Sequence, residues 1–261
     1  LIGTVHSAIV IQCTIGMGRY SISIPGSILF LVMLLAGAQG ARADQVNSPV
    51  VLLHGLARSH HSMDDMAEAL TAAGFRPCNI DYPSTDHPIG TLASDYVIPQ
   101  ILECVGPDSD SEVAFVTHSL GGISVRYLNA ADAPFRFGRV VLLGPPNQGS
   151  EVVDKLGGLA PFQWINGPAG NQLGTGSDSV PQSLGSTDLD VGIIAGHDSI
   201  NLILSTLIPG DDDGKVSIER AKLEGMQDFI TVPVSHPFLM TDDDVIEQTL
   251  HYLQDGEFHR P

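Results

Sequence analysis

The sequence predicts an α/β protein built on a mostly parallel sheet with helices on both faces. Three observations carry that prediction. From Pro49 onward, short apolar runs alternate with stretches of helical periodicity, the pattern of strands joined by helical crossovers. The 261-residue length is one that α/β folds often use as a single domain. One of the apolar runs delivers Thr117-His118-Ser119-Leu120-Gly121-Gly122, a serine pinched between a strand and a helix with glycines directly after it.

The elements follow in order. Pro49-Val50-Val51-Leu52-Leu53 reads as a buried strand ending at His54-Gly55. A helix is expected to begin at Ser62, with Asp65 three residues on as a variant capping box and Gly74 as its stop. Residues 75–80 read as the second strand, ending in the turn Asp81-Tyr82-Pro83-Ser84. Residues 90–105 read as mostly helical despite Pro99. Strand 112–116 leads into Ser119, and its helix runs to about Ala131. Strand 140–143 is followed by Gly144-Pro145-Pro146-Asn147-Gln148-Gly149-Ser150. Residues 157–188 are rich in Gly, Ser and Asn with weak periodicity, and read as an excursion over the C-terminal edge of the sheet, where substrate would enter. Regular structure resumes at 191–195, a last strand is expected over 228–234, and a last helix over 242–253.

The first forty-odd residues read differently. Residues 27–38, SILFLVMLLAGA, form an apolar run too short for a comfortable membrane span. Arg19 precedes it, and Ala41-Arg42-Ala43 follows in the small-x-small pattern of a signal-peptidase site. The expectation is a signal peptide over residues 1–43, with Met17 as initiator and residues 1–16 an over-extended start. One α/β domain then spans 44–261, exported to the periplasm or secreted, without a stable membrane span after cleavage. A retained anchor is the competing reading. Export would leave Cys78 and Cys104, either paired in a disulfide or as two separate buried thiols.

Composition excludes several function classes. Thirty Asp and Glu against twelve Lys and Arg give a formal charge of −18, which argues against nucleic acid or an anionic membrane bound by charge. No GxGxxG follows the first strand, and His60-His61 is adjacent rather than at helical spacing, so neither dinucleotide binding nor a metal hydrolase is expected.

The serine turn carries the chemistry. A turn this tight strains the serine backbone and exposes its hydroxyl, while the following helix aims free N–H groups at an anion formed nearby. A serine nucleophile needs a base, and the base needs a carboxylate to fix its tautomer. Of the histidines, only His236 sits just beyond the last predicted strand, on the same sheet edge as Ser119. Asp213, in a turn before that strand, and Asp198, nearer a strand end, both stand as the acid. The run Asp211-Asp212-Asp213 also reads as a solvated loop or a weak Ca²⁺ site. Backbone N–H groups of Leu56 and Leu120 suit an oxyanion hole, with His54 bracing the loop.

Together these pieces resemble the α/β-hydrolase superfamily, most closely its bacterial lipase/esterase branch of triacylglycerol esterases and lipases. The matching residues are Val51-Leu52-Leu53-His54-Gly55-Leu56, the elbow at Ser119, Pro146-Asn147-Gln148-Gly149-Ser150, Asp213-Gly214-Lys215-Val216 and His236, in the family's order. The resemblance favours Asp213 as the acid, since the bacterial lipases commonly carry it in an Asp-Gly-x-Val turn. It implies a serine ester hydrolase with a Ser119-His236-Asp213 triad, no cofactor, and a small-molecule or lipid ester as substrate. An acyltransferase with the same triad and a non-catalytic binding protein of the same fold are the alternatives. Thr117 departs from the family's Gly-x-Ser-x-Gly. The stretch after Ser150 is short for a helical lid, which points to accessible or short-chain esters.

Overall fold

Five consecutive residues with buried side chains, Pro49–Leu53, form β3 and take a partner on each side, as a central strand must. They pair with β4 (Arg76–Ile80) and β5 (Glu112–His118), and the sheet continues through β6 (Arg136–Leu143), β7 (Val191–Gly196) and β8 (Asp228–Val232). The order is β4-β3-β5-β6-β7-β8, and every pairing is parallel. The computed structural model describes residues 9–15, 18–24, 47–106, 111–200 and 202–260. Leu1–Val46 and Asn47–Pro261 are separate compact units. In the first, β1 (Ile9–Ile15) and β2 (Gly18–Ile24) pair antiparallel. The expected h-region and cleavage site at 27–43, and Met17, lie outside the described residues.

The period of two along each strand divides the core between the two faces. Val51, Leu53, Phe115, Leu142 and Ile193 belong to one buried cluster, and Val50, Leu52, Val116, Val141 and Ile194 to the other. The first is covered by α2 (Ile98–Val105) and α3 (Leu120–Ala130), through Ile101, Ile123 and Leu128. The second is covered by α1 (Asp64–Ala72), through Met66 and Leu70, and by a C-terminal helix over Asp243–Asp255, through Val245 and Tyr252. Burial on both faces is why the strand runs are continuously apolar rather than alternating. Among the described residues, no helix is long and apolar enough to cross a membrane.

Several local expectations are corrected. Ser62 does not cap a helix: its hydroxyl donates to the Ser59 carbonyl at 2.8 Å, a 3₁₀ turn occupies His60–Met63, and α1 starts two residues later. The segment before α2 is a π-helical turn, Leu92–Val97, that runs directly into α2, with Pro99 as the second residue of α2. β5 extends to His118 and β8 stops at Val232. Residues 157–188, weakly periodic in sequence, are partly helical. They contain α5 (Ala160–Asn171), which follows α4 (Glu151–Leu156), and a short turn at Val180–Ser183. α5 is two helical pieces joined at Gly167, whose φ of 60° and closeness to the Thr85 carbonyl admit no side chain. Cys78 of β4 and Cys104 of α2 form a disulfide with a Cα–Cα separation of 6.1 Å.

Candidate active site

Ser119 sits between the end of β5 and the start of α3 with φ 53° and ψ −114°, a conformation that costs a non-glycine residue about 1–3 kcal/mol. Its N–H donates to the Leu143 carbonyl at 2.9 Å, which ties the turn to β6. The helix can start this close to the sheet only because Gly121 lacks a side chain, since a Cβ there would lie 2.5 Å from the Leu53 carbonyl oxygen. Thr117, in the place of the family's first glycine, is fully buried, and its hydroxyl has no hydrogen-bond partner.

His236 opens a 3₁₀ turn, His236–Phe238, beyond the C-terminal end of β8. Its Nδ1–H donates to Asp213 Oδ2 at 2.7 Å, and its backbone N–H donates to the Asp213 carbonyl at 2.9 Å. Asp213 Oδ1 accepts from the N–H groups of Lys215, at 3.0 Å, and Val216, at 2.9 Å. The Asp213 carboxylate is therefore fully occupied and buried, and the His236 lone pair is left on Nε2. Asp198 is exposed in the loop after β7 and makes no hydrogen bond to His236, so the structure joins Asp213, rather than Asp198, to the histidine. Asp212 is also spent locally, accepting from Ser205 Oγ and Gly214 N–H, each at 2.7 Å. Among the described residues no group of three or more His, Cys, Asp or Glu is arranged to hold a metal ion.

No known family description and no curated protein matches the sequence. Solved structures do match. The mature form of Bacillus licheniformis lipase BlEst2 matches with a TM-score of 0.55 at 22% identity, over 79% of this chain and 89% of that one. Its propeptide form matches with a TM-score of 0.58 at 23% identity, over 78% of this chain, which spans half the length of that form, 50%. Aspergillus fumigatus lipase B matches with a TM-score of 0.57 at 14% identity, over 79% of this chain and 52% of that one. The chain has the α/β-hydrolase fold.

In this α/β-hydrolase fold, Ser119, His236, Asp213 and Leu56 all line one cavity of about 420 Å³ at the C-terminal edge of the sheet. Leu56 lies in the loop after β3, and Leu120 is the first residue of α3, whose N–H helix geometry leaves without an intrahelical acceptor. Ala57, next in that loop, has φ 54°, and its N–H donates to Ser84 Oγ at 3.0 Å. His54 braces the same loop: its ring stacks on Tyr82 with centroids 4.2 Å apart, and Tyr82 Oη donates to its carbonyl at 2.5 Å. Burial lowers the His54 pKa and keeps the imidazole neutral.

The cavity also presents residues that sequence patterning does not reveal. Its apolar wall comes from Val152 and Val153 of α4, Phe162 of α5, and Leu173. The 157–188 stretch thus supplies one helical part of the wall, through Phe162. His118, beside the serine, is buried, and its Nε2–H donates to the His236 carbonyl at 3.0 Å. Burial, with smaller electrostatic contributions from His236, Arg58 and Lys215, holds its pKa well below the usual histidine range. Arg58 and Lys215 line the cavity as well. No periodicity marks these three, and the motifs that contain His118 and Lys215 assign their side chains no role, because what matters is where loops from distant segments end.

Proposed function

We propose that this chain hydrolyses carboxylic esters through an acyl-enzyme on Ser119. The observation that carries the reading is the Nδ1-to-carboxylate bond between His236 and Asp213 in a cavity shared with a backbone-strained serine. Ser119 Oγ attacks the ester carbonyl while His236 Nε2 takes its proton. Asp213 holds the imidazole in the tautomer that leaves Nε2 free, and stabilises the imidazolium that forms. The tetrahedral oxyanion accepts from the N–H groups of Leu56 and Leu120, each worth about 3 kcal/mol of barrier. His236 then protonates the leaving alcohol, and a water that it deprotonates releases the acyl group. The likeness to proteins described as lipases and as a carboxyl esterase supports an ester as substrate.

Export is part of the proposal. The apolar run at 27–38 with the Ala41-Arg42-Ala43 site reads as a signal peptide, and a disulfide between Cys78 and Cys104 is compatible with an oxidising compartment.

The test is labelling of the protein with a fluorophosphonate and mapping of the adduct by peptide mass spectrometry. The expected adduct is on Ser119 and disappears in His236→Ala. A folded protein that stays unlabelled at Ser119 overturns the mechanism.

A further inference from the structure

We infer that the cavity takes esters whose alcohol part carries an anionic group, a phosphate or a carboxylate, and that Arg58 and Lys215 receive it. The inference rests on the ester-hydrolase reading of the same cavity and adds the class of substrate.

The titratable side chains lining the cavity are Arg58, His118, Asp213, Lys215 and His236. Asp213 is bonded to His236, and His118 is held neutral, so the remaining charges of the wall are both positive. This is notable in a chain of formal charge −18, where thirty acidic residues are available to pair with twelve basic ones. Arg136, Arg139, Arg220, Lys222 and Arg260 each lie against a carboxylate, while Arg76, Arg126 and Lys155 are instead satisfied by backbone carbonyls. Among the described residues, neither Arg58 nor Lys215 lies within 4.0 Å of a carboxylate oxygen. Arg58 makes one weak bond, from Nη2 to the Pro237 carbonyl at 3.3 Å.

The two cations also oppose each other. Burial lowers the pKa of both, and Arg58 lowers that of Lys215 further. As whole residues Arg58 and Lys215 both count among the exposed ones, yet burial is the first cause acting on each charged group. Two partly desolvated like charges destabilise an empty cavity, and an anion held between them offsets that cost.

Their positions define where such an anion would sit. Arg58 follows Leu56 in the loop proposed to supply an oxyanion donor, and it touches the carbonyl next to His236. Lys215 belongs to the turn that holds the Asp213 carboxylate. Both therefore hang from segments that position the reacting groups, while Val152, Val153, Phe162 and Leu173 offer an apolar wall suited to an acyl chain. An anion on the alcohol, a few bonds from the scissile oxygen, satisfies both requirements.

The experiment uses four butyryl esters that stay monomeric in solution: 1-butyryl-glycerol 3-phosphate, O-butyrylglycolate, monobutyrin and butyrylcholine. kcat/KM is measured on the wild-type protein, and Kd on Ser119→Ala, so that recognition is read separately from turnover. The expected result is a preference for an anionic ester over monobutyrin of about ten-fold, as two partly exposed ion pairs supply, with butyrylcholine the poorest. Whether the phosphate or the carboxylate ester leads tells which anion the site fits. The ratio of anionic to neutral ester, taken within each protein to cancel any common loss, should shrink in Arg58→Gln and in Lys215→Gln. It should approach one in the double variant and fall with added salt. Ser119-dependent hydrolysis of monobutyrin without anion preference overturns this inference and leaves the hydrolase reading intact. Preferential binding of the anionic esters with no turnover supports the anion receptor and overturns the hydrolase. Neither preference nor turnover overturns both.

Discussion

At the scale of single residues, Asp213 and its rival in the sequence, Asp198, differ in what surrounds them. The Asp213 carboxylate accepts two backbone N–H groups on one oxygen and the His236 Nδ1–H on the other, whereas Asp198 is exposed. Asp213→Asn should lower kcat on the order of 10⁴-fold with the backbone turn retained, because an amide no longer enforces the productive tautomer. Asp198→Asn should leave kcat/KM near wild type, and equal losses in the two variants would contradict the assignment. Thr117 invites a second measurement. Its hydroxyl is buried without a partner, so Thr117→Val removes a desolvation cost and should raise stability by about 1 kcal/mol, read as an upward shift of the urea midpoint.

At the scale of elements, α3 does more than present Ser119. Its Arg126 is buried and donates to the Asn147 carbonyl at 3.0 Å, Asn147 Oδ1 at 3.2 Å, the Pro181 carbonyl at 3.2 Å and the Gly185 carbonyl at 2.6 Å. A guanidinium fits here because its planar fork reaches several carbonyls at once, and burial without a carboxylate brings its pKa down to about 10. One side chain thus clamps the loop after β6 and the end of the 157–188 stretch onto the nucleophile's helix. Arg126→Ala strands these acceptors and should cost about 3 kcal/mol or more, with hydrogen exchange quickened first around residues 181–185. Protection unchanged there would show that the stretch is held by its own helices instead.

At the scale of the whole molecule, two buried histidines link stability to pH. The pKa values of His54 and His118 are both lowered by burial, so the unfolded chain binds protons that the folded chain refuses. Their contribution is complete above about pH 6.5, the unfolded value, and is lost as pH falls from there toward the depressed folded values. Unfolding free energy should therefore decline below about pH 6.5 by up to about 1.4 kcal/mol per pH unit for each histidine. His118→Gln, which can still donate to the His236 carbonyl, should flatten that decline; an unchanged slope would place its origin elsewhere. The same scale separates what the chain states locally from what folding assembles. Strands β3, β5, β6 and β7, the turn at Ser119 and the order of its partners were legible in the sequence, because apolar period and a strand-Ser-helix junction are properties of neighbouring residues. The helices within 157–188 were not, because their glycines and prolines mask the period and their walls are stabilised by contacts such as Gly170 against Leu56. The hydrogen bond that joins Asp213 to His236, the joining of Cys78 to Cys104, and the presence of Arg58 and Lys215 in one cavity belong to the tertiary structure alone. Each depends on the distance between segments far apart in the chain, which parallel crossovers and loop conformations set and no local pattern encodes.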